Sequence, residues 1–152
     1  MANYYTLFSE VIEDLTPEEE AWLTKVLTID PDKMDEAQFD DWTQNGFDGI
    51  CPDTCPDCWP SFSWSISDKD RELWVYAEDC GDLENVFSVV QRFLEKFRPQ
   101  AHWTIQWSES CSKPRVDAYG GGAALITAQD IKTMNTSAWL HDETTKIEKK
   151  AH

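Results

Sequence analysis

Apolar and polar positions recur with a definite period along most of this chain, and the period changes from segment to segment. In "YYTLFSEVIEDL", starting at Tyr4, the period is two, as in a strand, and Tyr5, Leu7 and Val11 share one face. In "TPEEEAWLTKVL" it lengthens, and Trp22, Leu23, Val26 and Leu27 fall at i, i+1, i+4 and i+5, the apolar face of a helix. That helix has a complete start signal. Thr16 suits the N-cap, Pro17 the first helical position, and Glu19 closes a capping box. The acids at 18 to 20 complement the positive end of the helix dipole.

Residues 28–61 break the periodicity. The stretch "DPDKMDEAQFDDWTQNGFDGICPDTCPDCWP" is dense in Asp and Pro and reads as a long irregular insertion, with a short helix predicted around Asp35 to Trp42. Phe39, Trp42, Phe47 and Trp59 are its candidate anchors to the core. Regular patterning then resumes. "SFSWSISDKDRELWVYAE" reads as a hairpin, with Phe62, Trp64 and Ile66 alternating with serines and "DKD" at the turn. "DLENVFSVVQRFLEKF" carries the strongest helical stripe: Val86, Phe87, Val90, Phe93, Leu94 and Phe97, capped by Asp82 and ended at Arg98-Pro99. "HWTIQWSES" is a strand with Trp103, Ile105 and Trp107 on one face, and "VDAYGGGAALITA" is its expected partner. "TAQD", Thr127 to Asp130, matches a second capping box and predicts a C-terminal helix that carries Ile131, Met134, Trp139 and Leu140.

The predicted order is β, α, insertion, β, β, α, β, β, α. Antiparallel hairpins beside helices imply an α+β fold: an antiparallel sheet with helices packed on one face. A β-α-β-β-α-β ferredoxin-like variant with an added strand and a C-terminal helix accommodates the order best. At 152 residues the chain suits a single domain over 1–152, with the acidic, Cys-containing insertion at about 28–61.

Charge narrows the partner classes. The net charge is −16. Residues 1–84 hold 22 acids against 4 bases, whereas residues 85–152 hold 7 against 9. An acidic first half repels nucleic acid, whose phosphates need cations, and disfavours an anionic membrane surface. It attracts a basic partner. The chain has no apolar run long enough to cross a bilayer, and "MANYYTLFSEVIEDL" lacks the basic and apolar regions of a signal peptide, so a cytoplasmic location is expected.

One stretch adds a resemblance. "SCSKPRVDAYGGGAALITAQDIKTMNTSAWL", with "LWVYAED" and "FLEKFRP" upstream, resembles a family of small acidic α+β proteins encoded by bacteria, phages and plasmids, over about residues 62–140. The resemblance implies no activity and assigns no functional residue. It leaves out the cysteine loop.

That loop, "GICPDTCPDCWPSF", holds Cys51, Cys55 and Cys58 in C-x3-C-x2-C spacing. The spacing is that of a radical-SAM cluster, but 152 residues cannot supply the barrel such enzymes need. Zinc is a better candidate. Three thiolates on one turn-rich loop could be completed by Cys80, Cys111 or His102 into an S4 or S3N site. Free or locally oxidised thiols are the plainer alternative, because a cytoplasmic setting and an odd count of five cysteines oppose a disulfide framework. The neighbouring aspartates disfavour a reactive thiolate.

Other motifs point to structure. Gly120 to Gly122 lack the Lys and following helix of a phosphate loop and read as a bulge or a close backbone approach. "SKPR", Ser112 to Arg115, reads as a hairpin connection. Trp64, Trp74, Tyr76, Trp103 and Trp107 could form a base-stacking platform, but the acidic charge opposes this and core packing is the simpler expectation. With three histidines and no paired acid and base singled out, no catalytic group is expected.

The leading expectation is an acidic non-enzymatic binding protein that docks on a basic protein surface of a nucleic-acid-binding protein or complex. One version is a nucleic-acid-mimicking inhibitor, of anti-restriction or anti-CRISPR type, that acts on a host defence complex. The candidate contacts are Asp30, Asp32, Asp35, Glu36, Asp40 and Asp41, with Trp42 as apolar anchor. The alternatives are a zinc-binding or redox-responsive structural module built on Cys51, Cys55 and Cys58, and an immunity-type inhibitor of a basic toxin. No cofactor is required, and structural zinc is the one candidate.

Overall fold

The computed structural model describes residues 2–29, 35–37, 40, 44 and 59–151. The elements are β1 (Tyr4–Ile12), α1 (Pro17–Leu27), β2 (Ser63–Ser67), β3 (Glu72–Ala77), α2 (Leu83–Phe97), β4 (His102–Cys111), β5 (Gly120–Thr127), β6 (Ile131–Asn135) and α3 (Thr136–Ala151). The six strands form one antiparallel sheet in the order β2-β3-β1-β4-β5-β6. β1, α1, β2, β3, α2 and β4 follow the split β-α-β plan of the ferredoxin-like arrangement, and β5 and β6 extend the sheet beyond β4.

α1 and α2 cover one face of the sheet. Phe8, Ile12, Leu73, Val75, Ile105 and Ile126 meet Trp22, Leu23 and Val26 of α1 and Val86, Val90 and Phe93 of α2 in one buried cluster. Each of the larger side chains contributes about 1.5–3 kcal/mol by leaving water. Trp22 joins the two helices, packing on Phe93 at 6.3 Å and edge-on to Phe97 at 5.9 Å.

The expected capping box forms as read. Thr16 Oγ1 accepts from the Glu19 N–H at 3.1 Å, and Glu19 Oε1 accepts from the Thr16 N–H at 2.8 Å. Asp82 caps α2 by accepting from the Asn85 N–H at 3.2 Å. The glycine run lies in β5, where backbone approach is close: a Cβ on Gly121 would stand 2.6 Å from the Trp107 carbonyl oxygen. Ser112 to Arg115 lie in the β4–β5 connection. In the insertion, Glu36, Ala37, Asp40 and Gln44 have helical backbone. Trp59 is anchored, donating its indole N–H to the Val26 carbonyl at 3.0 Å and packing on the core. The remaining expected anchors, Phe39, Trp42 and Phe47, lie outside the described residues.

One expectation is corrected. "TAQD" is a turn and does not start a helix. Thr127 Oγ1 accepts from the Gln129 and Asp130 N–H groups, and the Thr127 N–H reaches back to the Asp130 carbonyl. The same side-chain chemistry that caps helices also closes tight turns, so the chain returns as β6 and the helix begins only at Thr136, capped by Asn135. In β1, Tyr5, Leu7 and Val11 share a face as read, and the core is fed by the other phase, Phe8 and Ile12.

Glu19 is 4% exposed and is the one buried charged residue among those described. Arg98, just past α2, binds both its oxygens at 2.8 and 3.2 Å and donates to the carbonyls of Glu13 and Asp14 at 2.8 and 3.0 Å. Burial pushes the Glu19 carboxyl up. The Arg98 and Thr16 hydrogen bonds and the Arg98 charge outweigh it and hold the group below its ordinary 4.5. A depressed carboxylate stabilises the fold above its unfolded value, and that contribution is lost as pH falls through the lower folded value. Arg98→Ala is expected to cost about 2–3 kcal/mol at neutral pH, because it strands a buried carboxylate. Urea unfolding of both proteins across pH 7 to 3 checks this: the gap should narrow once Glu19 protonates.

Candidate functional site

The residue phase that feeds the core on one face leaves a second face without a covering helix among the described residues. β1 presents Tyr5, Leu7, Ser9 and Val11 there, β2 presents Ser63, Ser65 and Ser67, and β3 presents Glu72, Trp74 and Tyr76. β4 adds Thr104, Gln106 and Ser108, and β5 and β6 add Leu125 and Met134. The face is a mixture of hydroxyls and isolated apolar groups.

Near one edge of the sheet, on β3, it carries an aromatic pair. Trp74 and Tyr76 are two residues apart on β3, so both side chains leave the sheet in the same direction. Their rings stack with centroids 3.7 Å apart and planes 18° from parallel. Trp74 donates its indole N–H to Ser9 Oγ at 2.8 Å, which holds the ring in place while 40% of the residue stays exposed. This corrects the core assignment of Trp74 and Tyr76. Trp64, Trp103 and Trp107 do lie half-buried against the core. The signal was present in "ELWVYA", where both strand phases are apolar. One layer of two helices can bury only one of them.

Carboxylates lie at both ends of β3. At one end are Glu72 and the turn residues Asp68 and Asp70, with Glu20 reaching Asp68 from α1 on the helix-covered side. Asp68 hydrogen-bonds Glu20 and, with some desolvation and like-charge repulsion, holds that carboxyl above its ordinary 4.5, while Arg71 pulls the other way. At the far end of β3, Glu78 and Asp79 are exposed. Lys69 and Arg71 share the turn, so that end is acid-rich without being purely anionic.

The sequence-predicted contacts are divided. Asp35, Glu36 and Asp40 are exposed. Asp30, Asp32, Asp41 and Trp42 lie outside the described residues, as do Cys51, Cys55 and Cys58. Cys80 and Cys111 both flank Tyr4. Cys80 donates its thiol to the Tyr4 carbonyl at 3.3 Å, and Cys111 is Tyr4's ladder partner. Cys80 is exposed and lines a groove with Trp59, Pro60 and Phe62, whereas Cys111 is buried. His102 begins β4 and Cys111 ends it, a separation of about 30 Å at strand rise. His102 therefore cannot complete a site that also uses Cys80 or Cys111. Among the described residues no group of three His, Cys, Asp or Glu could hold a metal.

A cavity of about 260 Å³ between β1, α2 and β4 is lined by Glu13, Asp14, Arg98, His102 and Trp103. Its one guanidinium is already committed to Glu19 and two carbonyls, so the pocket offers structural polarity before it offers chemistry. Among the described residues no helix is long and apolar enough to cross a membrane.

The raised Glu20 carboxyl gives a signed expectation. Its charged form is disfavoured in the fold, so stability is lost as pH rises through its folded value. Glu20→Gln should therefore unfold at slightly higher temperature than the parent at neutral pH. The two should converge in acid, which thermal melts across pH will show. Comparison with family models, curated proteins and solved structures finds no match to this chain.

Proposed function

We propose that this is a non-enzymatic binding protein that docks on a basic protein surface through the open sheet face. The observation that carries the reading is the Trp74–Tyr76 pair, stacked, tethered to Ser9, and set between carboxylates at both ends of β3. A rigid exposed aromatic is the type of residue that anchors interfaces. An Arg or Lys of the partner would meet the ring face as a cation–π contact and the surrounding acids as ion pairs. The net charge of −16 would steer the encounter. Asp35, Glu36 and Asp40 would extend the acidic footprint, with Asp30, Asp32, Asp41 and Trp42 as further candidates. The concrete version is mimicry: carboxylates occupy places on a nucleic-acid-binding protein where phosphates would lie, which inhibits it.

A second reading concerns the cysteine loop. Cys80 lines the same groove as Trp59, the covalent neighbour of Cys58. Cys80 is thus the best placed of the earlier candidates to join Cys51, Cys55 and Cys58 around a structural zinc. Elemental analysis of protein purified without chelator would give stoichiometric zinc, and Cys80→Ser would reduce it and lower the melting temperature. Metal-free protein would end this reading.

The leading reading is tested on the partner captured from a host lysate at low salt. Trp74→Ala should weaken binding about tenfold or more, mainly through faster dissociation. Joint reversal of Asp68, Asp70 and Glu72 to Lys should slow association and flatten the salt dependence. Reversal of Asp35, Glu36 and Asp40 should do the same more weakly. Unchanged binding by both the Trp74 and the charge-reversed variants would refute the docking face.

A further inference from the structure

We propose that α3 is a self-association arm, through which two copies of this chain pair helix against helix in antiparallel fashion. The proposal stands apart from the docking reading and uses none of its residues.

α3 leaves β6 without a loop, and its first turn touches β5, where Thr136 Oγ1 accepts from the Gly121 N–H at 3.2 Å. None of residues 136–150 is buried. Trp139, Leu140 and Ile147 nevertheless fall at i, i+1 and i+8, on one face, and are 57%, 57% and 69% exposed. A helix of 16 residues without packing is marginal in water, since most helical stability in proteins comes from burying an apolar face. Over residues 136–150 this one has only exposed or half-buried side chains.

Charge says what covers it. The first half of α3 carries Asp142 and Glu143, and the second half carries Lys146, Lys149 and Lys150 with the single acid Glu148. In an antiparallel pair the acidic half of each helix lies beside the basic half of the other, and the helix dipoles oppose. A parallel pair would set Lys against Lys. The pairing is thus self-complementary, as a two-fold interface requires. It also solves a repulsion problem. The acid excess lies in residues 1–84, which hold 22 acids against 4 bases. α3 spans about 24 Å at 1.5 Å per residue, so an antiparallel pair holds the two acidic bodies at opposite ends, well beyond a Debye length of about 8 Å at physiological salt. One helix pair is a small interface, so dissociation is expected on the order of micromolar.

Sedimentation velocity over a concentration series tests the proposal on the full chain. Wild type should move from 17.5 kDa toward twice that mass. Leu140→Asp with Ile147→Asp, both at exposed positions, should remain monomeric while keeping the parent's near-ultraviolet circular dichroism. Asp142→Lys with Glu143→Lys, and separately Lys149→Glu with Lys150→Glu, should each lose self-association, and an equimolar mixture of the two should regain it. A wild type that stays monomeric throughout overturns the proposal, as does a dimer that survives the Leu140 and Ile147 changes. A mixture no better than its parts would overturn the antiparallel pairing.

Discussion

The fold depends on one buried carboxylate. Glu19 closes the first turn of α1 on itself through Thr16, and through Arg98 it ties that turn to the end of α2. Arg98 also takes up the carbonyls of Glu13 and Asp14 and lies 5.2 Å from the centre of the Phe93 ring. Four segments therefore meet at one ion pair: the end of β1, the start of α1, the end of α2 and the core beneath them. The pair is specific because each partner is satisfied in several directions, which is the condition under which a buried charge is tolerated.

With α1 and α2 locked to one face, the other face of the sheet has its character decided for it. Strand geometry sends alternate residues to opposite sides. Apolar residues in both phases of β3 therefore divide into a buried set, Leu73, Val75 and Ala77, and a set on the open face, Trp74 and Tyr76. The open set is held in order by its own stacking and by Ser9, not by core packing. An ordered aromatic surface between acidic ends is a different object from the diffuse acidic insertion that charge counting alone suggests.

α3 shows the converse case. Its local signals favour a helix, with an Asn135 cap, an i,i+3 pair between Glu143 and Lys146, and lysines in its last turn. Local consistency is enough to make it helical, but it leaves Trp139, Leu140 and Ile147 facing water. Such a face is explained by a second surface, and the helix's own charge order specifies one.

The amino-acid sequence by itself determined the α+β class, the single helical layer and the ferredoxin-like order. Periodicity and caps are local, and here the local signals agree: Thr16 to Glu19 at one helix start, Asp82 at the other, serines alternating through β2. It also determined the acidic first half. Where a local signal has two physical outcomes, only the tertiary structure decided. The Thr127 to Asp130 pattern caps helices and closes turns equally well, and β5 needed a partner, so it became a turn. The phase of β1 was ambiguous between Leu7 and Phe8, and the position of α1 and α2 settled it on Phe8. The Trp74–Tyr76 pair could not be told from core by composition, because an aromatic in a strand reads the same on either face. Which face meets water is a property of the layer packed against the sheet, not of the strand.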